Sequence, residues 1–96
     1  MNRILLESPD KQQLAILLQA SISDQLKTLT IGMEKTRRKI EQFEKQFQMA
    51  SDEFYQAYLN GEMGDDEAVL EWAGEIETLR KLQQDYHLLN ETEICS

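Results

Sequence analysis

Large side chains recur at alternating spacings of four and three residues through the first half of the chain, and this heptad seam constrains the fold more than any other feature. Leu14 and Leu18 precede it at intervals of four. The pattern predicts one helix over residues 10–49, roughly 60 Å long at a rise of 1.5 Å per residue. We expect the apolar members to form a homodimer seam, whose orientation the pattern leaves open. The seam consists of Ile22, Leu26, Leu29, Met33, Thr36, Ile40, Phe43 and Phe47, and Thr36 is its polar member.

Two features bear on where this helix begins and whether it continues. Ser8-Pro9-Asp10 is typical of a helix N-terminus, because Ser caps a free N–H and Pro suits the first helical position. The segment 28–32 contains three β-branched residues and Gly32, and a glycine alone lowers helix stability by about 1 kcal/mol. We therefore expect a bend or a break there. For residues 1–8 the sequence leaves three alternatives: a short strand, a disordered lead or an extra helical turn.

Two shorter helices are predicted after the seam. Ser51-Asp52-Glu53 should cap a helix that reaches Leu59, and Asn60-Gly61 should end it, since both residues tolerate the left-handed conformation. Asp65-Asp66-Glu67 should cap a third helix that reaches about Asn90 and leaves residues 91–96 as a frayed tail. The third helix has its own apolar seam, formed by Val69, Trp72, Ile76, Leu79, Leu82 or Gln83, Tyr86 and Leu89.

The fold class expected from these elements is all-α, with residues 1–96 as a single helical domain. Two long helices would run antiparallel around a short helical elbow. Such a hairpin leaves apolar stripes uncovered, and a chain of 96 residues has a thin core of its own. Both considerations favour a dimer.

The formal charge of −8 is divided unevenly along the chain. Residues 1–50 hold eight Lys or Arg and six Asp or Glu, a net charge of +2. Residues 51–96 hold two and twelve, a net charge of −10. An acidic surface of this size repels nucleic acid and attracts a basic protein. We therefore expect a basic protein partner.

Cysteine usage and hydropathy bear on the compartment. Cys95 is the single cysteine and cannot form an internal disulfide or a zinc cluster. The first ten residues have too short an apolar run for a signal peptide. No window reaches the roughly 18 apolar residues of a membrane span. We expect a cytoplasmic protein without membrane contact.

No pattern in the chain points to catalysis, a metal or a cofactor. His87 is the only histidine, and no Ser or Cys pairs with it at a recognisable spacing, so we place it on the helix surface. The acidic run 65–67 lacks the ligand spacing and the glycine of a calcium loop, and is better interpreted as a charged helix N-terminus. The four glycines are too scattered to cradle a phosphate. We predict that the protein is not an enzyme.

Two features leave nucleic-acid binding open. The one basic cluster is either a nucleic-acid contact or a solvated helix face that pairs with acids of the third helix, and we favour the second interpretation. A ribbon–helix–helix fold could open at residues 3–7, but it needs a turn near residues 21–23, which contain no Gly, Asn or Pro. The basic cluster consists of Lys35, Arg37, Arg38 and Lys39.

All seven aromatic residues lie between positions 43 and 86. Phe43, Phe47 and Trp72 are assigned to the core around the elbow. Tyr55 and Tyr58 are expected to be partly exposed on the short helix. Tyrosine offers a large contact area and is common among binding anchors, so both are candidate contacts for a partner.

The stretches Ile40–Met49, Ser51–Asp66 and Glu71-Trp72 resemble a family of small bacterial and archaeal proteins that are predicted antitoxins, encoded beside small ribonuclease-type toxins. In that family a phenylalanine-rich coiled segment precedes a capped short helix, a Gly-Glu-x-Gly-Asp-Asp turn and a Glu-Trp helix. The resemblance covers about residues 40–89. Gln48 stands where the family commonly has a glycine, and residues 1–39 match no segment of it.

The resemblance implies an acidic protein that neutralises a basic nuclease by occlusion, with no catalytic residue to carry over. The alternative is a homodimeric coiled-coil scaffold or interaction protein without a toxin partner. The candidate partner contacts are Tyr55, Tyr58, Glu62, Asp65, Asp66 and Glu71.

Overall fold

The computed structural model describes residues 11–92, which form three α-helices and contain no strand. Helix α1 spans Lys11–Phe47, α2 spans Ser51–Leu59 and α3 spans Glu67–Asn90. The all-α class is confirmed, and the helix bounds agree with the predicted ones to within one or two residues. The predictions for the N-terminal lead, the Ser8 cap, Cys95 and most of the tail lie outside the described residues.

Helix α1 continues through Gly32 without a break, so a break there was a wrong expectation. The hydroxyls of Thr28 and Thr30 donate to the carbonyls of Asp24 and Leu26, at 3.2 and 2.9 Å, so both hydroxyls have partners within the helix. A Cβ at position 32 would meet the Leu82 side chain at an ordinary 3.5 Å, which places this turn against α3. Packing against α3 outweighs the low local propensity.

The two long helices are antiparallel. Gly32 lies beside Leu82, and Lys39 Nζ is 3.9 Å from Glu75 Oε2, so neighbours in both pairs have numbers that add to 114. In this register Asn90, the last residue of α3, reaches α1 near residue 24. The predicted hairpin of two long helices is therefore confirmed.

Much of the predicted dimer seam is buried inside one chain. Leu29, Met33, Thr36 and Ile40 are the buried residues of α1, and Phe43 and Phe47 pack against the core cluster that includes Trp72. The structure thus assigns this part of the seam to contacts within the chain. Ile22 and Leu26, the first two members, are only half-buried. The periodicity is correct, but its partner over most of its length is α3.

The molecule is a rod of 60 × 25 × 19 Å. Its radius of gyration is 19.4 Å, against roughly 12 Å for a compact domain of this length. We call residues 46–79 the elbow end and residues 11–23 of α1 the tip. The tip projects beyond α3 by roughly 20 Å at 1.5 Å per residue.

Both turns that leave a helix use the left-handed conformation. After α2, Gly61 has φ +75, its N–H donates to the Tyr58 carbonyl and the Glu62 N–H donates to the Ala57 carbonyl, which is a Schellman ending. The predicted end at Asn60-Gly61 is confirmed. After α1, Gln48 occupies the same position with φ +52, and the Met49 N–H donates to the Glu44 carbonyl at 3.2 Å.

Replacing Gln48 by glycine should stabilise the protein. A side chain in the left-handed region costs about 1–2 kcal/mol, and the greater freedom of glycine in the unfolded chain offsets part of that. We expect Gln48→Gly to raise the free energy of unfolding by about 0.5–1 kcal/mol in urea denaturation. The control Gln42→Gly, at an exposed α-helical position, should lower it by about 1 kcal/mol. Equal losses at both sites would contradict the strain at Gln48.

Candidate protein-binding site

The indole of Trp72 joins the three helices at the elbow end. Its ring stacks on Phe54 of α2 at 3.7 Å between centroids, and on Phe47 and Phe43 of α1 at 5.3 and 5.9 Å. Trp72 and Phe54 have no exposed surface. The predicted core role of Phe43, Phe47 and Trp72 is confirmed. Stacked pairs of this kind add about 0.5–1.5 kcal/mol each beyond area burial.

The N-terminus of α2 is bound by side chains from the other two helices. The Ser51 backbone N–H donates to Glu44 Oε2 at 3.0 Å, and Trp72 Nε1 donates to Ser51 Oγ at 3.1 Å. The predicted role of Ser51 as a side-chain cap is wrong, because the N-cap residue is Ala50 and the Ser51 hydroxyl is occupied by the indole. Asp66 is the N-cap residue of α3 and makes no side-chain capping bond.

The two tyrosines of α2 differ in exposure. Tyr55 is 9% exposed, so its predicted partial exposure is wrong, whereas Tyr58 is half-buried as predicted. The Tyr55 hydroxyl donates to Glu77 Oε2 at 2.9 Å, and the Arg80 guanidinium lies 4.5 Å from the ring centroid. The hydrogen bond to Glu77, followed by burial, raises the pKa of Tyr55 above that of an ordinary tyrosine. Tyr58 packs against Phe54 and Tyr55, at 6.0 and 5.8 Å between ring centroids.

The elbow end carries nine carboxylates and no Lys or Arg. Glu75 faces Lys39, and Glu77 accepts the bond from Tyr55. The other seven are exposed and take part in no ion pair within residues 11–92. We call these seven the acidic face: Asp52, Glu53, Glu62, Asp65, Asp66, Glu67 and Glu71.

The acidic face includes four of the predicted partner contacts, namely Glu62, Asp65, Asp66 and Glu71. Sequence reasoning missed its three other members, although the absence of any basic residue from 46 to 79 was a signal for them. Apolar groups lie among the charges, since Tyr58 and Met63 are half-buried and Leu59 and Leu70 are 60% and 51% exposed. The surface therefore offers charge and some apolar contact area together.

Other chemistry-bearing groups lie along the rod. The basic cluster is exposed. Its Lys39 Nζ lies 3.9 Å from Glu75 Oε2 of α3, which is one ion pair of the type that the interpretation as a solvated helix face predicts. His87 is on the helix surface as predicted, with Nε2 2.9 Å from Glu91. Helix α1 crosses residues 21–23 without the turn that a ribbon–helix–helix fold needs.

Within residues 11–92, no three His, Cys, Asp or Glu side chains lie close enough together to hold a metal ion. None of the three helices is long and apolar enough to cross a membrane.

No family model, curated protein or solved structure matches the chain.

The Tyr55–Glu77 bond gives a prediction about pH. Tyr55→Phe should lower the free energy of unfolding near pH 7, because it removes the hydrogen bond to Glu77. A raised folded-state pKa means that the neutral phenol stabilises the fold, so this contribution is present below the ordinary tyrosine pKa and is lost as pH rises through the raised one. Urea denaturation should show the gap between wild type and variant narrowing as pH rises above the ordinary tyrosine pKa of about 10.

Tyr58→Phe is the matched control for this experiment. No hydrogen bond of the Tyr58 hydroxyl is present among residues 11–92, so the control should change stability little at either pH. A gap for Tyr55→Phe that persists unchanged in alkali would contradict the bond.

Proposed function

We propose that this chain is a non-enzymatic inhibitor of the antitoxin type, which binds a small basic nuclease-type toxin through the acidic face and blocks its nucleic-acid site. The observation that carries the proposal is the separation of charge. Seven exposed carboxylates lie on α2, the loop after it and the start of α3, with no Lys or Arg between residues 46 and 79. The basic residues of segment 35–45 lie beside α3 on α1, where Lys39 is 3.9 Å from Glu75.

Unpaired carboxylates of this kind suit a basic protein surface. A nuclease presents cationic groups to phosphates, and the acidic face offers carboxylates to the same groups. Complementary potentials accelerate association and reject acidic partners. Binding would also relieve the mutual repulsion among the seven carboxylates. Occlusion by this route needs no catalytic group on the inhibitor.

The support beneath the acidic face is already ordered in the free chain. Trp72 holds α1, α2 and α3 together, and Ser51 is bound from both α1 and α3. A preformed surface loses less conformational entropy on binding than a flexible one. Tyr58, which is half-buried on α2 and packs against Phe54 and Tyr55, is the candidate aromatic anchor.

The proposal predicts that charge reversal at the acidic face abolishes inhibition. Asp65→Lys and Asp66→Lys combined with Tyr58→Ala should weaken binding to the product of the neighbouring reading frame by at least about a hundredfold, because attraction becomes repulsion and the anchor is lost. The measurement is size-exclusion chromatography with light scattering after co-expression. The neighbour expressed alone should be toxic to the cell. Wild type should restore growth, and the variant, which binds the neighbour more weakly, should restore it less. Added salt should weaken the wild-type complex.

The control carries the same change of charge elsewhere on the rod. Glu34→Lys and Glu41→Lys reverse two exposed carboxylates of α1 and should leave binding and rescue close to wild type. The proposal fails if the neighbour is harmless and forms no complex, or if the variant at the acidic face binds as well as the control.

A second candidate function is a homodimeric helical scaffold without a toxin partner. Exposed apolar side chains away from the elbow favour it. Ile16 and Leu17 at the tip are 67% and 59% exposed, and Leu88 near the end of α3 is 68% exposed. Antitoxin and homodimer are compatible, because the two surfaces lie at different ends of the rod.

A further inference from the structure

A cavity of about 410 Å³ lies between α1 and α3 and is partly open to solvent. This volume falls within the roughly 300–1,000 Å³ of small-ligand sites in proteins. One of its carboxylates, that of Glu71, belongs to the acidic face, so the cavity adjoins the surface proposed for the basic partner. The lining residues are Lys39, Gln42 and Phe43 of α1 with Glu71 and Glu75 of α3.

We propose that this cavity binds one arginine side chain of the basic partner. Its guanidinium would lie against the Phe43 ring and between the carboxylates of Glu71 and Glu75. The inference rests on the proposed function, because it names the group with which the partner enters the edge of the acidic face.

The two carboxylates provide the charge for a single cation. Side chains four residues apart on a helix are neighbours, with about 6 Å between Cβ atoms, and like charges at this spacing repel. Lys39 offsets only one of them, which leaves a net charge of −1 in the cavity. Its Nζ lies 3.9 Å from Glu75 Oε2, longer than the roughly 2.7–2.9 Å of a charge-assisted hydrogen bond. Glu75, whose side chain is 20% exposed, thus gains no short hydrogen bond from this lysine.

Phe43 gives the cavity an aromatic wall. The ring is half-buried and nearly parallel to Trp72, at 12° between planes and 5.9 Å between centroids, so the core fixes its orientation. A cation within about 6 Å of a ring centroid is attracted to the ring. A planar guanidinium stacks on the ring while its N–H groups donate to carboxylates, whereas an ammonium is a strongly hydrated point charge. The wall therefore favours arginine over lysine.

A comparable arrangement is complete elsewhere in the chain. The Arg80 guanidinium lies 4.5 Å from the ring centroid of Tyr55, and Glu77 accepts the hydrogen bond of the Tyr55 hydroxyl. A ring, a carboxylate and a guanidinium thus come together between α2 and α3. At the cavity, the chain supplies the ring and two carboxylates, and the partner would supply the guanidinium.

Titration of the full chain with a blocked arginine, Nα-acetyl-arginine amide, tests the cavity without the partner. We expect a dissociation constant on the order of 10 mM at constant ionic strength, as one exposed guanidinium contact provides. The largest NMR chemical-shift changes should fall on the side-chain amide of Gln42 and the backbone amides of Phe43 and Glu75. Nα-acetyl-lysine amide should bind at least about threefold more weakly, and the neutral Nα-acetyl-citrulline amide should not bind.

Carboxylate variants separate the cavity from general electrostatic attraction. Glu75→Gln should weaken binding of the blocked arginine about fivefold, because it removes one of the two charges while keeping the shape of the side chain. Glu67→Gln removes an exposed carboxylate of the acidic face outside the cavity and should leave this binding unchanged. Equal effects of the two substitutions would overturn the site.

Two further variants test the competing cation and the ring. Lys39→Gln should strengthen binding of the blocked arginine about threefold, because a positive charge leaves the cavity. Lys35→Gln, at an exposed lysine of α1 outside the cavity, should not. Phe43→Leu should abolish the preference for arginine over lysine. A preference that survives this substitution would contradict the stacking.

The complex tests the source of the guanidinium. Glu75→Gln should weaken binding to the product of the neighbouring reading frame at least about tenfold relative to Glu67→Gln. Binding of the blocked arginine together with an unchanged complex would overturn the assignment to the partner. Failure of the two proposals is distinguishable. A harmless neighbour that forms no complex refutes the proposed function, whereas an intact complex with no binding of the blocked arginine at about 100 mM refutes the cavity alone.

Discussion

The burial of Trp72 is the interaction on which the rest of the structure depends. Its ring stacks on Phe54 of α2 at 3.7 Å and lies beside Phe43 and Phe47 of α1, so one side chain of α3 contacts all three helices. Its N–H also satisfies the Ser51 hydroxyl at the start of α2. A nine-residue helix such as α2 is marginal in isolation. Packing on the indole therefore decides that α2 is ordered and that the chain reverses where it does.

The acidic face is a consequence of this arrangement and also a cost to it. The seven exposed carboxylates repel one another, and the aromatic core beneath has to offset that repulsion. Glu44, Glu75 and Glu77 have partners in the fold, whereas the carboxylates of the acidic face do not. A basic partner would supply the cations that these carboxylates lack within the described residues.

The two ends of the rod offer different chemistry. The elbow end is acidic and built on three helices, while the tip is rich in apolar residues, has a formal net charge of +1 from Lys11 and is only one helix thick within the described residues.

Sequence alone determined the local features of this protein. The heptad spacing located α1, Asn60-Gly61 ended α2, and the lack of basic residues from 46 to 79 set the charge of the elbow end. Only the tertiary structure decided what each stripe and each polar group meets. Leu29 to Ile40 are buried in the hairpin with α3, Ser51 binds the indole, Tyr55 is buried beneath Glu77 and Arg80, and α1 stays continuous at Gly32. The physical reason is that periodicity states which face of a helix must leave water, whereas the surface that covers it depends on contacts between residues far apart in the chain.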